Sequence, residues 1–330
     1  MRVAVAALVL CFLAGCQAPA ATEPTTEFDG PAAYDFVEGL VTTADGGPRY
    51  RVPGTALHAE AADWLEDQMT LPNWEVRRQS FTGADYEALD HGQVASYRGD
   101  RFCSEPDASE VANLTFHNLV ATTGPANPMV WLGAHWDSKE EANQDPDVPG
   151  DPVLGANDGA SGVGLLLQFM HQAPDVPFGL GIVFFDGEDG FEDCHPLAGS
   201  LYFAQTMEPG LVDRFILLDM VGDEDAQFIR ETQSTQSDRP LMDLLWKHGQ
   251  RHAPEAFTTK VRQVADDHVP FIEQGVRAVD LIDAGRPTFF PPYWHTTQDT
   301  MQNISPDMLG AVGQTLLDTL TDPAFEDGWP

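Results

Sequence analysis

Val130-Trp131-Leu132-Gly133-Ala134, followed directly by His135-Trp136-Asp137-Ser138-Lys139, is the stretch on which the fold turns. A short apolar run with β-branched and aromatic residues suits a strand buried on both faces, and such strands belong to largely parallel sheets covered by helices. Leu180 to Phe185 and Phe215 to Leu218 have the same character. Each run ends in polar residues: His135 after the first, Asp186-Gly187-Glu188-Asp189 after the second, Asp219 after the third. In sheets of this kind the ligand site lies beyond the carboxyl ends of the strands, so these side chains can converge. Asn157-Asp158-Gly159, Asp266-Asp267-His268 and Trp294-His295-Thr296 add further carboxylates and imidazoles. That donor set is what a zinc ion takes. The expected class is α/β.

Other segments fill in the architecture. Pro31 to Thr43 and Gly54 to Met69 carry helical periodicity, and Pro72-Asn73 stops the second. Trp74 to Phe81 alternates as an outer strand does, and Leu114 to Thr122 reads as the next strand, with an irregular stretch between them. Glu140 to Val153, dense in Asp and Pro, reads as a loop of the length that shapes sites. Gly159 to His171 is apolar all round, as a helix buried against a sheet would be. Further helices are expected around Pro240 to Arg251, His268 to Gln274 and Ser305 to Leu320, with a strand from Arg277 to Ile282.

The chain of 330 residues shows no internal repeat, and one catalytic domain over 31–330 is expected. Met1-Arg2, the apolar stretch from Val3 to Leu13, and Leu13-Ala14-Gly15-Cys16 look like a bacterial lipoprotein signal over 1–15, with Cys16 as the lipidated residue. The stretch is shorter than the roughly 20 residues of a membrane span. Residues 16–30 read as a flexible tether, which places the protein in the cell envelope, on a lipid anchor. Simple secretion is the alternative. In that oxidising compartment Cys103 and Cys194 can pair in a disulfide. The net charge of -35, with lysine only at 139, 247 and 260, excludes nucleic acid and anionic headgroups as partners.

Chemistry divides the carboxylate pair. Neighbouring side chains point different ways, so Asp189 is expected to bind metal while Glu188 faces substrate as general base and acid. Asp158 and His295 would complete a three-residue zinc shell with a fourth position open. The plainer role for an Asp in front of a helix, as Asp158 is, would be an N-cap.

His135-Trp136-Asp137-Ser138-Lys139, Phe184-Phe185-Asp186-Gly187-Glu188, Leu217-Leu218-Asp219, Asp266-Asp267-His268-Val269-Pro270-Phe271 and Trp294-His295-Thr296 together resemble animal-type glutaminyl-peptide cyclotransferases, a branch of the zinc aminopeptidase superfamily. The resemblance implies a three-layer α/β/α sandwich around a mixed, mainly parallel sheet. It implies one zinc on Asp158, Asp189 and His295, and Glu188 as proton shuttle beside Asp219 and Asp266. It also implies Trp294 and Phe290 as pocket walls, peptides with a free N-terminal Gln as substrates, and a monomer. Two positions depart from the family. Asp189 stands where Glu is usual, which draws the metal toward the backbone, and Phe191-Glu192-Asp193-Cys194-His195 replaces a loop that usually carries a pocket Trp. The alternative is a two-metal aminopeptidase, for which His135 and Asp219 would hold a second ion with Asp158 as the bridge.

Overall fold

Strands whose side chains are buried on both faces build the centre of the molecule. The computed structural model describes residues 27–96, 112–126, 129–189, 196–208 and 210–325. The signal stretch, Cys16, Cys103, Cys194 and the 190–195 loop lie outside the described residues. In chain order the described elements begin with helices α1 (Gly30–Val41) and α2 (Ala56–Met69), strand β1 (Glu75–Thr82) and helix α3 (Gly83–Glu87). Strands β2 (Thr115–Thr123) and β3 (Met129–His135), helix α4 (Ala160–His171), strand β4 (Gly179–Phe185), helix α5 (Ala198–Thr206) and strand β5 (Arg214–Asp219) follow. The chain continues through β6 (Phe228–Glu231), α6 (Thr232–Ser237), α7 (Arg239–His252), β7 (Phe257–Arg262), α8 (His268–Glu273), β8 (Arg277–Ile282) and α9 (Pro306–Thr321).

Six strands form one sheet in the order β1-β2-β4-β3-β5-β8. The pairs β1/β2 and β2/β4 are antiparallel, and β3/β4, β3/β5 and β5/β8 are parallel. All residues of β3, β4 and β5 are buried, as the continuous apolar runs require. Their alternation divides the core in two. Val130, Leu132 and Ala134 pack with α1, α4 and α9 on one face, whereas Trp131, Val183, Phe185 and Phe215 pack with Phe203 of α5 and Phe271 of α8 on the other. The architecture is therefore a three-layer α/β/α sandwich, with His135, Phe185 and Asp219 ending adjacent parallel strands on one side.

Local signals explain the helices that the sequence reveals. Asp29 caps α1 by accepting from Ala32 N, Thr55 caps α2 by accepting from His58 N, and Ser305 caps α9 by accepting from Met308 N. Helix α4 is buried from Ala160 to Met170, so truncating a residue such as Leu166 to Ala would cost about 2–5 kcal/mol. The 140–153 segment contains no helix or strand, as expected, yet it is tied down. Gln144 N donates to His295 O at 3.1 Å, and Thr297 donates to Asp145 Oδ2 through both its amide and its hydroxyl.

Some boundaries differ from the sequence reading. The folded part takes in residues assigned to the tether, because Phe28 is buried in the core and Gly30 opens α1. Helices α3, α5 and α6 and the small parallel sheet β6/β7 were not expected. Among the described residues no helix is long and apolar enough to cross a membrane.

Candidate metal centre and substrate pocket

The polar ends of the strands converge as the spacing predicts. Asp158 occupies the middle: its Oδ1 lies 3.0 Å from His135 Nε2 and its Oδ2 lies 3.6 Å from His295 Nε2. Asp189 Oδ1 stands 3.0 Å from His295 Nε2, and Asp219 Oδ1 stands 3.5 Å from His135 Nε2. All five residues are buried. Helix α4 begins without any side-chain cap, so Asp158 does not serve as its N-cap and its carboxylate is left to the centre.

Two further carboxylates hold this arrangement through the backbone. Asp137 accepts from Glu188 N at 3.1 Å and Asp189 N at 3.2 Å, one amide on each oxygen. Asp299 does the same for Asn157 N at 2.9 Å and Asp158 N at 3.1 Å. Gly159 must be a glycine here, because a Cβ would lie 2.3 Å from the His135 ring. Three non-glycine residues around the centre, Met220, Phe289 and His295, hold positive φ values of 51°, 83° and 56°. Such conformations cost of order 1–3 kcal/mol each and persist where the surroundings fix them.

A cavity of about 300 Å³ opens onto the centre. Its polar lining comprises Asp158, Glu188, Asp189, Asp219, Asp266 and His295, and its apolar wall includes Met220, Phe289, Phe290 and Trp294. Trp294 stacks on His295 with ring centroids 3.6 Å apart, and Phe290 stacks on Trp294 at 4.4 Å. All of the catalytic, ligand and pocket-wall residues picked from the sequence therefore face one space, except that His135 lies just behind it against Asp158 and Asp219.

Electrostatics separates the carboxyls. Burial, reinforced by Asp189 and Asp266, pushes Glu188 well above the usual carboxylate range. Burial would also raise Asp189, but the His295 charge and hydrogen bond override it and hold Asp189 far below that range. Burial with the neighbouring Asp158 lifts Asp219 to about 6, and burial with Asp219 and Asp267 lifts Asp266 well above its ordinary value. The surroundings thus favour the protonated form of Glu188 and the ionised form of Asp189.

The donor set fits zinc. One ligand atom from each of His135, Asp158 and Asp189 lies within 4.8 Å of the others, and Asp219 Oδ1 is buried with no hydrogen-bond partner. Two donors on a tetrahedral zinc, each about 2.1 Å from it, stand about 3.4 Å apart. The separations of 3.0–3.6 Å between imidazole nitrogens and carboxylate oxygens bracket that value. Sequence reasoning missed the two amide clamps made by Asp137 and Asp299. It also missed a buried group behind Asp266, in which His268 lies 3.3 Å from Glu231 and 3.7 Å from Asp280.

Residues 118–320 match the description of peptidase family M28. A mouse glutaminyl-peptide cyclotransferase-like protein is 32% identical over 292 residues, which cover 78% of this chain and 67% of the mouse protein. The crystal structure of Porphyromonas gingivalis glutaminyl cyclase is similar at a TM-score of 0.75 and 29% identity, over 89% of this chain and 98% of that one. A zinc-dependent exopeptidase from Parabacteroides distasonis is similar to the same degree, with a TM-score of 0.75 and 29% identity over 90% of this chain and 99% of the other.

Proposed function

The chain belongs to peptidase family M28, and from that premise we propose that it is a glutaminyl cyclase, converting the N-terminal Gln of peptides or proteins to pyroglutamate with release of ammonia. The observation that carries this reading is the single cavity in which Glu188, Asp219 and Asp266 face the stacked Phe290 and Trp294 across the Asp158/Asp189/His295 centre. A zinc ion held by Asp158, Asp189 and His295 would supply Lewis-acid polarisation of the substrate's side-chain carbonyl. The Trp294 and Phe290 rings wall the cavity where the Gln side chain folds back on its own amine.

In this reaction the α-nitrogen forms a bond to the side-chain carbonyl carbon, and that carbon loses its amide nitrogen as ammonia. An α-amine has a pKa of about 7.7–8.0, so near neutral pH it arrives largely protonated and needs a base. That nitrogen gives up two protons on its way to the lactam N–H, and Glu188 accepts them one after the other and returns each to the leaving nitrogen, so that ammonia departs as ammonium. Burial, reinforced by Asp189 and Asp266, raises the affinity of Glu188 for protons, which suits both directions of transfer.

The test is mass spectrometry of a Gln-initiated peptide incubated with the soluble part of the chain, with zinc content measured on the same sample. Loss of the mass of one ammonia with about one zinc per chain supports the cyclase. One observation favours a second reading, a two-metal aminopeptidase: the two oxygens of Asp158 face different histidines, and His135 is also 3.5 Å from Asp219. Release of the first residue with about two zincs per chain would establish it. Anchoring at the cell envelope through Cys16 belongs to the same proposal, and a Cys16→Ser variant that still partitions with membranes would refute it.

A further inference from the structure

Arg51 precedes α2 and has no accessible surface. Two other buried arginines, Arg49 and Arg214, each face a carboxylate, Glu60 and Asp238. The Arg51 side chain donates instead to main-chain carbonyls. Nε donates to Trp136 O at 2.6 Å, Nη1 to Leu154 O at 2.7 Å, and Nη2 to Gly155 O at 2.9 Å and Asp137 O at 3.4 Å. Its own backbone is fixed on Ser138, with Arg51 N donating to Ser138 Oγ at 2.9 Å and Ser138 N donating to Arg51 O at 3.3 Å. Burial lowers its pKa to about 10, with Asp137, Asp299 and Asp158 opposing that shift, so the guanidinium stays charged at neutral pH.

The carbonyls it gathers belong to two separate segments. Trp136 and Asp137 follow β3 and His135, whereas Leu154 and Gly155 precede Asn157 and Asp158 at the start of α4. Gly155 is packed to the limit in this junction. Its φ is +62°, and a Cβ there would lie 2.2 Å from Asp158 O and 3.0 Å from Arg51 Nη2. The fork of Arg51 is rigid and planar, so it spaces the acceptors it bridges in a way that a flexible ammonium does not.

We infer that Arg51 is a positioning residue for the metal centre: its fork sets the spacing between the segment after β3 and the segment before α4, and through them the placement of His135 against Asp158. This inference rests on the reading that the centre holds zinc, and it holds for the cyclase and for the aminopeptidase alike.

The test compares the intact protein with Arg51→Lys, Arg51→Ala and Gly155→Ala. Zinc affinity is measured by chelator competition on folded protein, together with kcat and KM on the substrate that the wild type turns over. A group supporting metal ligands from behind is worth about 10- to 100-fold in metal affinity. Weaker zinc binding of that size is expected in Arg51→Lys and Gly155→Ala, with a fall in kcat that exceeds any change in KM. Methylguanidinium, added below denaturing concentrations, should restore part of the zinc affinity of Arg51→Ala and none of that of Arg51→Lys. Wild-type zinc affinity in folded Arg51→Lys would overturn the inference. If both Arg51 variants fail to fold, the residue serves the fold and the inference is likewise overturned. A wild type that releases residues instead of cyclising Gln would refute the cyclase while leaving the zinc comparison decisive for Arg51.

Discussion

Glu188 and Asp189 are chain neighbours with opposite electrostatic fates. Burial raises both, but only Asp189 has an imidazole, that of His295, 3.0 Å from its carboxylate. The proposed division of the pair into a proton carrier and a ligand makes a prediction at each residue. Glu188→Gln is expected to keep zinc and lose turnover by at least about 10²-fold, since a positioned acid-base group contributes roughly 10²–10⁴-fold. His295→Ala is expected to lose both zinc and turnover, because it deletes a donor. Zinc analysis and single-turnover assays on the same preparations check the division, and loss of zinc from Glu188→Gln would reverse it. The convergence of these side chains was legible because residue type and strand-end position are written in the sequence. The amide clamps of Asp137 and Asp299 were not, because they act on backbone groups 51, 52, 141 and 142 residues away. Arg51 was invisible for the same reason: all of its side-chain partners are carbonyls, which every residue type carries.

The elements were legible where burial is one-sided or complete. Strands β3, β4 and β5 are covered on both faces and so read as unbroken apolar runs, and α4 reads as buried all round. Strands β6 and β7 escaped notice for a different physical reason. The first has four residues, and the second exposes Thr259, Lys260 and Val261 in succession, so neither carries a period. Their pairing depends on contacts far apart in sequence, such as Phe228 against Phe257 at 5.0 Å. Helix α5 starts after Leu197, a left-handed residue with no side-chain cap, and gives no start signal. The start of α4 makes a prediction at this scale. Gly159→Ala forces a Cβ to within 2.3 Å of the His135 ring, so α4 must shift away from β3. Overpacking of this kind costs about 1–3 kcal/mol. Because Asp158, a ligand in both readings, precedes Gly159, melting temperatures with and without zinc should show both a lower baseline and a smaller zinc-induced rise, and an unchanged rise would mean that the placement of Asp158 beside His135 does not govern zinc binding.

Over the whole molecule the net charge of -35 extends into the interior, where Asp219, Asp266, Asp267, Asp280 and Asp299 are all buried. Burial pushes Asp267 up to about 7 and, with Asp158 beside it, Asp299 up to about 8, while Asp219 sits at about 6 and Asp266 and Asp280 lie well above the ordinary range. In the unfolded chain each would titrate near about 3.9. Between those limits the folded state binds more protons than the unfolded one, so this stability is fully present below about pH 4 and is lost as pH rises through about 6 to 8. His135 and His295 act in the same direction, since burial lowers each but the surrounding carboxylates raise both above the usual imidazole value. Other groups oppose: His268 outweighs burial and holds Glu231 at about 2, so its contribution is lost as pH falls below about 4, and burial lowers His117 to about 4, so its contribution is lost as pH falls from about 6.5 towards 4. Metal-free protein should therefore be most stable in mild acid. Zinc requires deprotonated carboxylates and neutral imidazoles, so its stabilisation should grow with pH over the range in which the metal-free protein weakens. Denaturant midpoints for chelated and zinc-loaded protein between about pH 5 and 8 should diverge steadily. Parallel curves would mean that zinc does not bind where Asp158, Asp189, Asp219, His135 and His295 meet.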